Sequence, residues 1–362
     1  MALPFVQTLP HGIHVIDTGF HRPLFDASFL IVQDGRAAFI DCGTNFAVPR
    51  LLAALDDLGL PRDAVDYVIP THVHLDHAGG AGLLMRSLPR ATMLVHARGA
   101  RHMIDPTALY QGALAVYGQA AMNREYGTLV PVPADRVQAT EDGMTVQLAG
   151  RPLQFIDTPG HARHHHCLWD ERSRGWFTGD TFGLSYREFD SAVGAWVMPT
   201  STPVQFEPEA LRQSIVRLLS REPQRMYLTH YGQIGGTADD VRRLAGLLFE
   251  QLDAMVALGQ SLRAAPDRHE ALKSAMQALA RAQLLRHGGR PRATRCIRAA
   301  TCSTCGPPPR NCTAGCATTR TGRCYRWPTR CAGCASYTAS ATRCTGARRT
   351  SWSNQRGRPC TR

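Results

Sequence analysis

Lysine is almost missing from this chain. Lys273 is the one lysine among residues 1–287, against 25 arginines. Cysteine is scarce there too: only Cys42 and Cys167 fall in that stretch. Neither a disulfide framework nor a cysteine-based metal cluster is expected in it. No run of residues approaches the ~18 consecutive apolar positions of a membrane span. The start, Met1-Ala-Leu-Pro, lacks the basic lead-in and apolar run of a secretory signal. A cytoplasmic chain with no membrane partner is the expectation.

The final stretch lacks far more. From Gly288 to Arg362 there is no Asp, Glu, Lys, His, Leu, Val, Met or Phe, yet 15 Arg and 10 of the 12 Cys crowd into it. The formal charge of +12 is a property of this stretch alone, since residues 1–287 hold 26 basic and 29 acidic residues, a net of −3. The basic total therefore gives no argument for nucleic-acid binding. A segment with so little apolar surface cannot offset the entropy of folding. Residues 288–362 are read as an Arg/Cys-rich low-complexity tail, disordered or frameshifted from a GC-rich gene. Cys302-Ser-Thr-Cys305 and Cys331-Ala-Gly-Cys334 have the spacing of zinc ligands, but the tail has essentially no large apolar residues to pack around such a site.

Apolar residues make up 44 % of the whole chain, enough for a sizeable core. Short alternating runs predict strands over 12–17, 28–33, 37–41, 66–70, 92–96, 144–148, 153–157 and 226–229. The runs 166–169 and 175–178 predict a hairpin. Helical spacing predicts helices over 48–58, 79–88, 107–126 and 207–219. After Gly236 two apolar stripes appear: Val241, Leu244, Leu248, Leu252 and Met255, then Leu272, Met276 and Leu279. Strands alternating with helices in two similar halves predict a layered α/β fold.

Polar residues recur where apolar strands end. The strongest case is His72-x-His74-x-Asp76-His77, four potential ligands in six residues after the strand at 66–70. Imidazole and carboxylate suit borderline divalent metals. Alternation in an extended loop turns His72 and His74 the same way, which leaves Asp76 and His77 to face a second point. His161, Asp180 and His230 each follow a predicted strand. Five His and two Asp suffice for two metal sites joined by one bridging carboxylate, the arithmetic of a two-metal hydrolase.

Five segments then occur in a telling order: Phe39-Ile-Asp41-Cys-Gly43, Thr71–Gly80, Asp157-Thr-Pro-Gly-His161, Phe177-Thr-Gly-Asp180 and Tyr227-Leu-Thr-His230. On them the chain resembles the metallo-β-lactamase superfamily of hydrolases. The resemblance implies an αββα sandwich over residues 1–235, a helical extension over 236–287 and the tail beyond. It implies two divalent ions, zinc first, with iron or manganese as alternatives. His72, His74 and His161 would hold one ion, Asp76, His77 and His230 the other, and Asp180 would bridge. Asp76 and Asp180 are the expected catalytic carboxylates, acting with a metal-bridging hydroxide on a carbonyl. Asp41 and His165 would buttress the ligands.

Phe182, Tyr186 and Trp196 offer a candidate wall for a small-molecule substrate, with a cap on the core as the equal alternative. The helices after His230 are similar to the glyoxalase II layout, which points to a thioester or related ester. The basic residues that bind glutathione in that branch have no match here. A lactone hydrolase is one alternative, which Gly183 counts against without excluding, since lactonases of the superfamily usually carry a tyrosine at that position. A mononuclear iron oxygenase of the persulfide dioxygenase type is the alternative of another class. The sequence sets no oligomeric state.

Overall fold

The computed structural model describes residues 3–201 and 205–289. The expectations for the tail from residue 290 onward lie outside them.

Alternation along the strands builds two sheets. The first contains β1 (Val6–Leu9), β2 (Ile13–Asp17), β3 (Ala27–Gln33), β4 (Arg36–Ile40), β5 (Val65–Ile69), β6 (Thr92–His96) and β7 (Val137–Thr140), side by side in that order. Its first four strands form an antiparallel meander, and β4 to β7 run parallel. The second contains β8 (Thr145–Leu148), β9 (Arg151–Asp157), β10 (His166–Asp170), β11 (Gly175–Gly179), β12 (Arg225–Leu228) and β13 (Gly232–Gly235), again neighbours in sequence order. The hairpin expected at 166–178 is β10–β11, with Leu168 opposite Phe177.

Period-two patterning decides which side chains meet. Phe29 and Ile31 of β3 enter the core between the sheets, where Phe29 meets the Phe177 and Tyr227 rings at 5.2 and 5.8 Å. Leu30, between them, belongs to the core on the opposite face, with Leu51, Leu55 and Leu84. Those come from α1 (Val48–Asp57) and, after the single turn α2 (Leu75–Ala78), from α3 (Ala81–Ser87). Two further helices follow, α4 (Ala97–Ile104) and α5 (Thr107–Ala121). On the second sheet Trp169 and Trp176 face outward onto α6 (Pro208–Leu219) and α7 (Ala238–Ser261). Each fully buried side chain of this size contributes about 1.5–3 kcal/mol. The result is helix, sheet, sheet, helix.

Three details differ from the sequence reading. The helix expected over 107–126 breaks at Gly118 (φ 76°), and Met122–Tyr126 forms a π turn. Glycine tolerates that φ, so a helical pattern alone does not reveal the break. On α8 (Arg268–Arg286) the expected stripe Leu272, Met276 and Leu279 is only half-buried, while Ala280 and Leu284 reach the inter-sheet core. The edge strands β1, β7 and β13 carry too little pattern to be expected.

Candidate metal centre

The ligand loop starts where Pro70 ends β5. His74 lies on extended backbone, and α2 then turns Asp76 and His77 inward. Gly79 and Gly80 serve close packing here, with ordinary helical φ at both. A Cβ on Gly79 would lie 2.3 Å from the Leu75 carbonyl oxygen, and one on Gly80 would lie 2.6 Å from that of Thr44.

The second sheet supplies the remaining candidates. His161 follows β9, Asp180 follows β11, and His230 lies two residues past the end of β12. Gly179 has φ 46°, and a Cβ there would meet Thr71 Oγ1 at 2.4 Å. Glycine is thus required where Asp180 approaches the histidine loop.

These seven residues converge. His72 Nε2 and His74 Nδ1 are 2.7 Å apart, and His161 Nε2 is 3.1 Å from the same His74 atom. Tetrahedral zinc with about 2.0 Å bonds holds its donors about 3.3 Å apart, so this trio is close to a zinc-sized triangle. Asp76, His77 and His230 form another such group, and His72, His77 and Asp180 a third. Asp180 lies between them: Oδ2 is 3.2 Å from His161 Nε2, while Oδ1 is 3.4 Å from His77 Nε2 and 3.5 Å from His230 Nε2. His77 Nε2 and Asp180 Oδ1 are buried with no hydrogen bond. Orphaned polar atoms of this kind are costly, and a cation between them satisfies both. The donor set fits two borderline divalent ions.

Each of three histidines is aimed by its other nitrogen. His77 Nδ1–H donates to Asp41 (2.8 Å), His230 Nδ1–H to the Phe25 carbonyl (3.1 Å), and His161 Nδ1–H to Thr200 Oγ1 (2.8 Å). Thr200 in turn donates to the Asp180 carbonyl (3.0 Å). Such partners fix tautomer and orientation. Asp41, wholly buried at φ 50°, also accepts from the Thr71 N–H (2.7 Å) and the Thr229 hydroxyl (2.6 Å). His165 stacks on the His72 ring (4.8 Å between centroids) and aims neither nitrogen at the cluster centre: its Nδ1 meets Thr158 Oγ1 (2.9 Å), and its Nε2 accepts the Asp180 N–H (3.2 Å). Thr200, in a loop without pattern, has no signal in the sequence.

Charge is arranged in two zones. Burial, reinforced by neighbouring rings, pushes His72 far below its ordinary pKa and His74 to about 3. Burial lowers His77 and His230 too, but carboxylates outweigh it. Asp41, Asp76 and Asp180 hold His77 well above its usual value, and Asp180 and Asp76 raise His230 to about 9. His74 and Asp76 are the half-buried members, with the Asp76 side chain 28 % exposed, so the site opens on their side.

Phe182, Tyr186 and Trp196 do not line that opening. Their exposures are 0, 2 and 1 %, and they belong to the two cores that flank the second sheet. Of the two readings a run of large side chains allows, burial selects the cap on the core. Cys42 and Cys167 are also buried, which drives both thiols up, Cys167 to about 12. Neither is an available nucleophile.

The pattern that defines the metallo-beta-lactamase superfamily matches residues 21–260. The chain belongs to this superfamily. A metallo-beta-lactamase fold-containing protein of Sulfurisphaera tokodaii is 28 % identical over 228 residues, 62 % of this chain and 79 % of that one. A solved metallo-beta-lactamase family protein of Thermus thermophilus superposes with a TM-score of 0.55 at 22 % identity, covering 77 % of this chain and 92 % of that one. That likeness is one of fold. An atrochrysone carboxyl ACP thioesterase of Aspergillus fumigatus is 27 % identical over 168 residues, 46 % of this chain and 38 % of that one. The superfamily supports a metal-dependent, hydrolase-type activity and divalent metal binding. No helix among the described residues is long and apolar enough to cross a membrane.

Proposed function

We propose that this chain is a hydrolase that uses two divalent ions, zinc first among them, to cleave a thioester or related ester of small-molecule size. The observation that carries the reading is the place of Asp180, which faces His161 with one oxygen and both His77 and His230 with the other. Two ions held there would supply Lewis acidity and a water acidified toward neutral pH. The chain's own part is positioning. Asp41 and Thr200 orient ligand histidines, and His165 steadies the backbone of Asp180. Substrate enters beside His74 and Asp76. No side-chain nucleophile is needed, and both described cysteines are buried. The likeness to a thioesterase favours thioesters, and Gly183 stands where lactonases usually place tyrosine.

The test is metal content per chain in unsupplemented protein, followed by a panel of thioesters, lactones and β-lactams. About two zinc per chain, or zinc mixed with iron, with thioester turnover that a chelator abolishes, is expected. A single iron per chain with persulfide-dependent oxygen uptake would refute the reading in favour of an oxygenase.

A further inference from the structure

Three consecutive histidines, His164-His165-His166, lead into β10 of the second sheet. His165 bonds the Asp180 backbone. Its two neighbours turn to the histidine loop of the first sheet instead. That loop has left its own ladder: β5 ends at Ile69, and residues 70–74 belong to no strand. Buried main-chain polar groups must then find partners elsewhere.

The histidine run supplies them. His166 is wholly buried. Its Nε2 lies 2.9 Å from the Pro70 carbonyl, which can only accept, so Nε2–H donates, and Nδ1 takes the Thr140 hydroxyl at 2.8 Å. Its backbone N–H donates to the Thr71 carbonyl at 3.0 Å. Two successive carbonyls of the loop are thus held by one residue. The Thr71 hydroxyl donates to Asp41 and accepts the His72 Nδ1–H at 3.2 Å. That leaves His72 Nε2 bare on the side of His74.

His164 acts one step further along. Its Nδ1 accepts the Val73 N–H at 3.5 Å, between the ligands His72 and His74. Its ring is parallel to that of His72 at 6.1 Å and edge-on to that of His74 at 5.6 Å. α4 packs against both partners: a Cβ on Gly99 would lie 2.8 Å from Val73 Cγ1 and 3.9 Å from His164 Cβ.

We infer that His164 and His166 are positioning residues for the three-histidine metal site. From the second sheet they set the backbone of residues 70–74. His166 aims His72 through Thr71, and His164 fixes the chain between His72 and His74. Ligands set in advance hold an ion more tightly than ligands that must be ordered on binding. The inference rests on the two-ion centre of the hydrolase reading and is independent of its substrate.

The experiment is zinc titration of the full chain against a competing chelator, with residue-resolved hydrogen exchange on the metal-free protein. His166→Leu removes the donor to Pro70, and His166→Gln returns an amide N–H to its place. His164→Phe keeps a ring without an acceptor, and His164→Asn restores an acceptor at the Nδ1 position. The His72–His74–His161 site should weaken about 10-fold in His166→Leu and about 3-fold in His164→Phe. The Asp76–His77–His230 site should stay within about 2-fold. Glutamine and asparagine should recover most of the loss, and exchange over residues 70–74 should quicken in the leucine and phenylalanine variants alone. No loss in any variant overturns the inference. So does an equal loss in both members of each pair or at both metal sites, which would make the run mere packing. Exchange of the Val73 amide at open-chain rate in the metal-free wild type also overturns it, with no variant required to fold. A wild-type chain that binds no zinc at the three-histidine site refutes the two-ion reading and this inference with it.

Discussion

Replacing Asp41 by asparagine keeps its shape but removes the charge that faces His77 and swaps an acceptor oxygen for a donor amide. The carboxylate receives the Thr71 N–H and hydroxyl, the Thr229 hydroxyl and the His77 Nδ1–H. In Asp41→Asn one oxygen can still serve Thr71. The new amide N–H₂ then faces Thr229 and His77. The threonine hydroxyl can rotate and accept. His77 can accept only by moving its proton from Nδ1 to Nε2, the atom that faces Asp76 and Asp180. That tautomer is the wrong one for a cation. A hydrogen bond to a charged group is worth about 1.5–3 kcal/mol. That agrees with the loss of metal affinity, roughly 10–100-fold, typical when such a supporting partner is removed. The His77 site should therefore weaken by that factor, while the His72–His74–His161 site changes by no more than a few-fold. Alanine is the poorer probe: it strands four buried donors at about 1–3 kcal/mol each, of the order of a domain's whole stability of about 5–15 kcal/mol. The assay is zinc titration against a competing chelator, with both sites resolved and thermal stability followed in parallel. Wild-type affinity at both sites in Asp41→Asn would refute the reasoning.

Further outcomes follow from the same geometry. Thr200→Val removes the acceptor for His161 Nδ1–H and should weaken metal binding at the three-histidine site by about 10-fold, read by the same titration. Gly179→Ala puts a Cβ 2.4 Å from Thr71 Oγ1 and 2.7 Å from His165 Nε2 at a φ of 46°; a loss of about 2–4 kcal/mol and of bound metal is expected by denaturant unfolding and elemental analysis. Arg151→Ala strands the buried Asp170 carboxylate, which now accepts at 2.8 and 2.5 Å, and should cost about 3–5 kcal/mol with metal content unchanged. In the metal-free chain His230 binds its proton more tightly folded than unfolded, with a pKa of about 9 against 6.5. That contribution is complete below pH 6.5 and disappears as pH rises through 9. Calorimetry should show metal-free protein losing stability across this window and metal-loaded protein, its His230 Nε2 occupied, holding level.

What the sequence made legible was whatever carries a period or a dense cluster. The strands that end at Ile69, Asp157, Gly179 and Leu228 stand out as short apolar runs, and ligand-type residues follow each of them. Four such residues within six need no partner to be noticed. Thr200 is the reverse case, a lone threonine twenty residues from Asp180 whose role exists only once the chain folds back. The large side chains at 182, 186 and 196 show the limit of composition, because a core cap and a cleft wall use the same residues and burial alone separates them. The strand Gly232–Gly235, with glycine at both ends, has little propensity of its own and exists through pairing with β12.

The ligand set is divided between the two sheets. His72, His74, Asp76 and His77 follow β5 of the first, and His161, Asp180 and His230 follow strands of the second. Each candidate trio takes members from both, so neither half of the chain can hold an ion in three-point grip alone. Bound metal therefore acts as a rivet across the sandwich. A metal ion held there would stabilise the assembled halves by about 2.7 kcal/mol at a free concentration of 100 times its Kd. Melting temperature becomes a gauge of metal supply, and a chain starved of metal should come apart first along this seam.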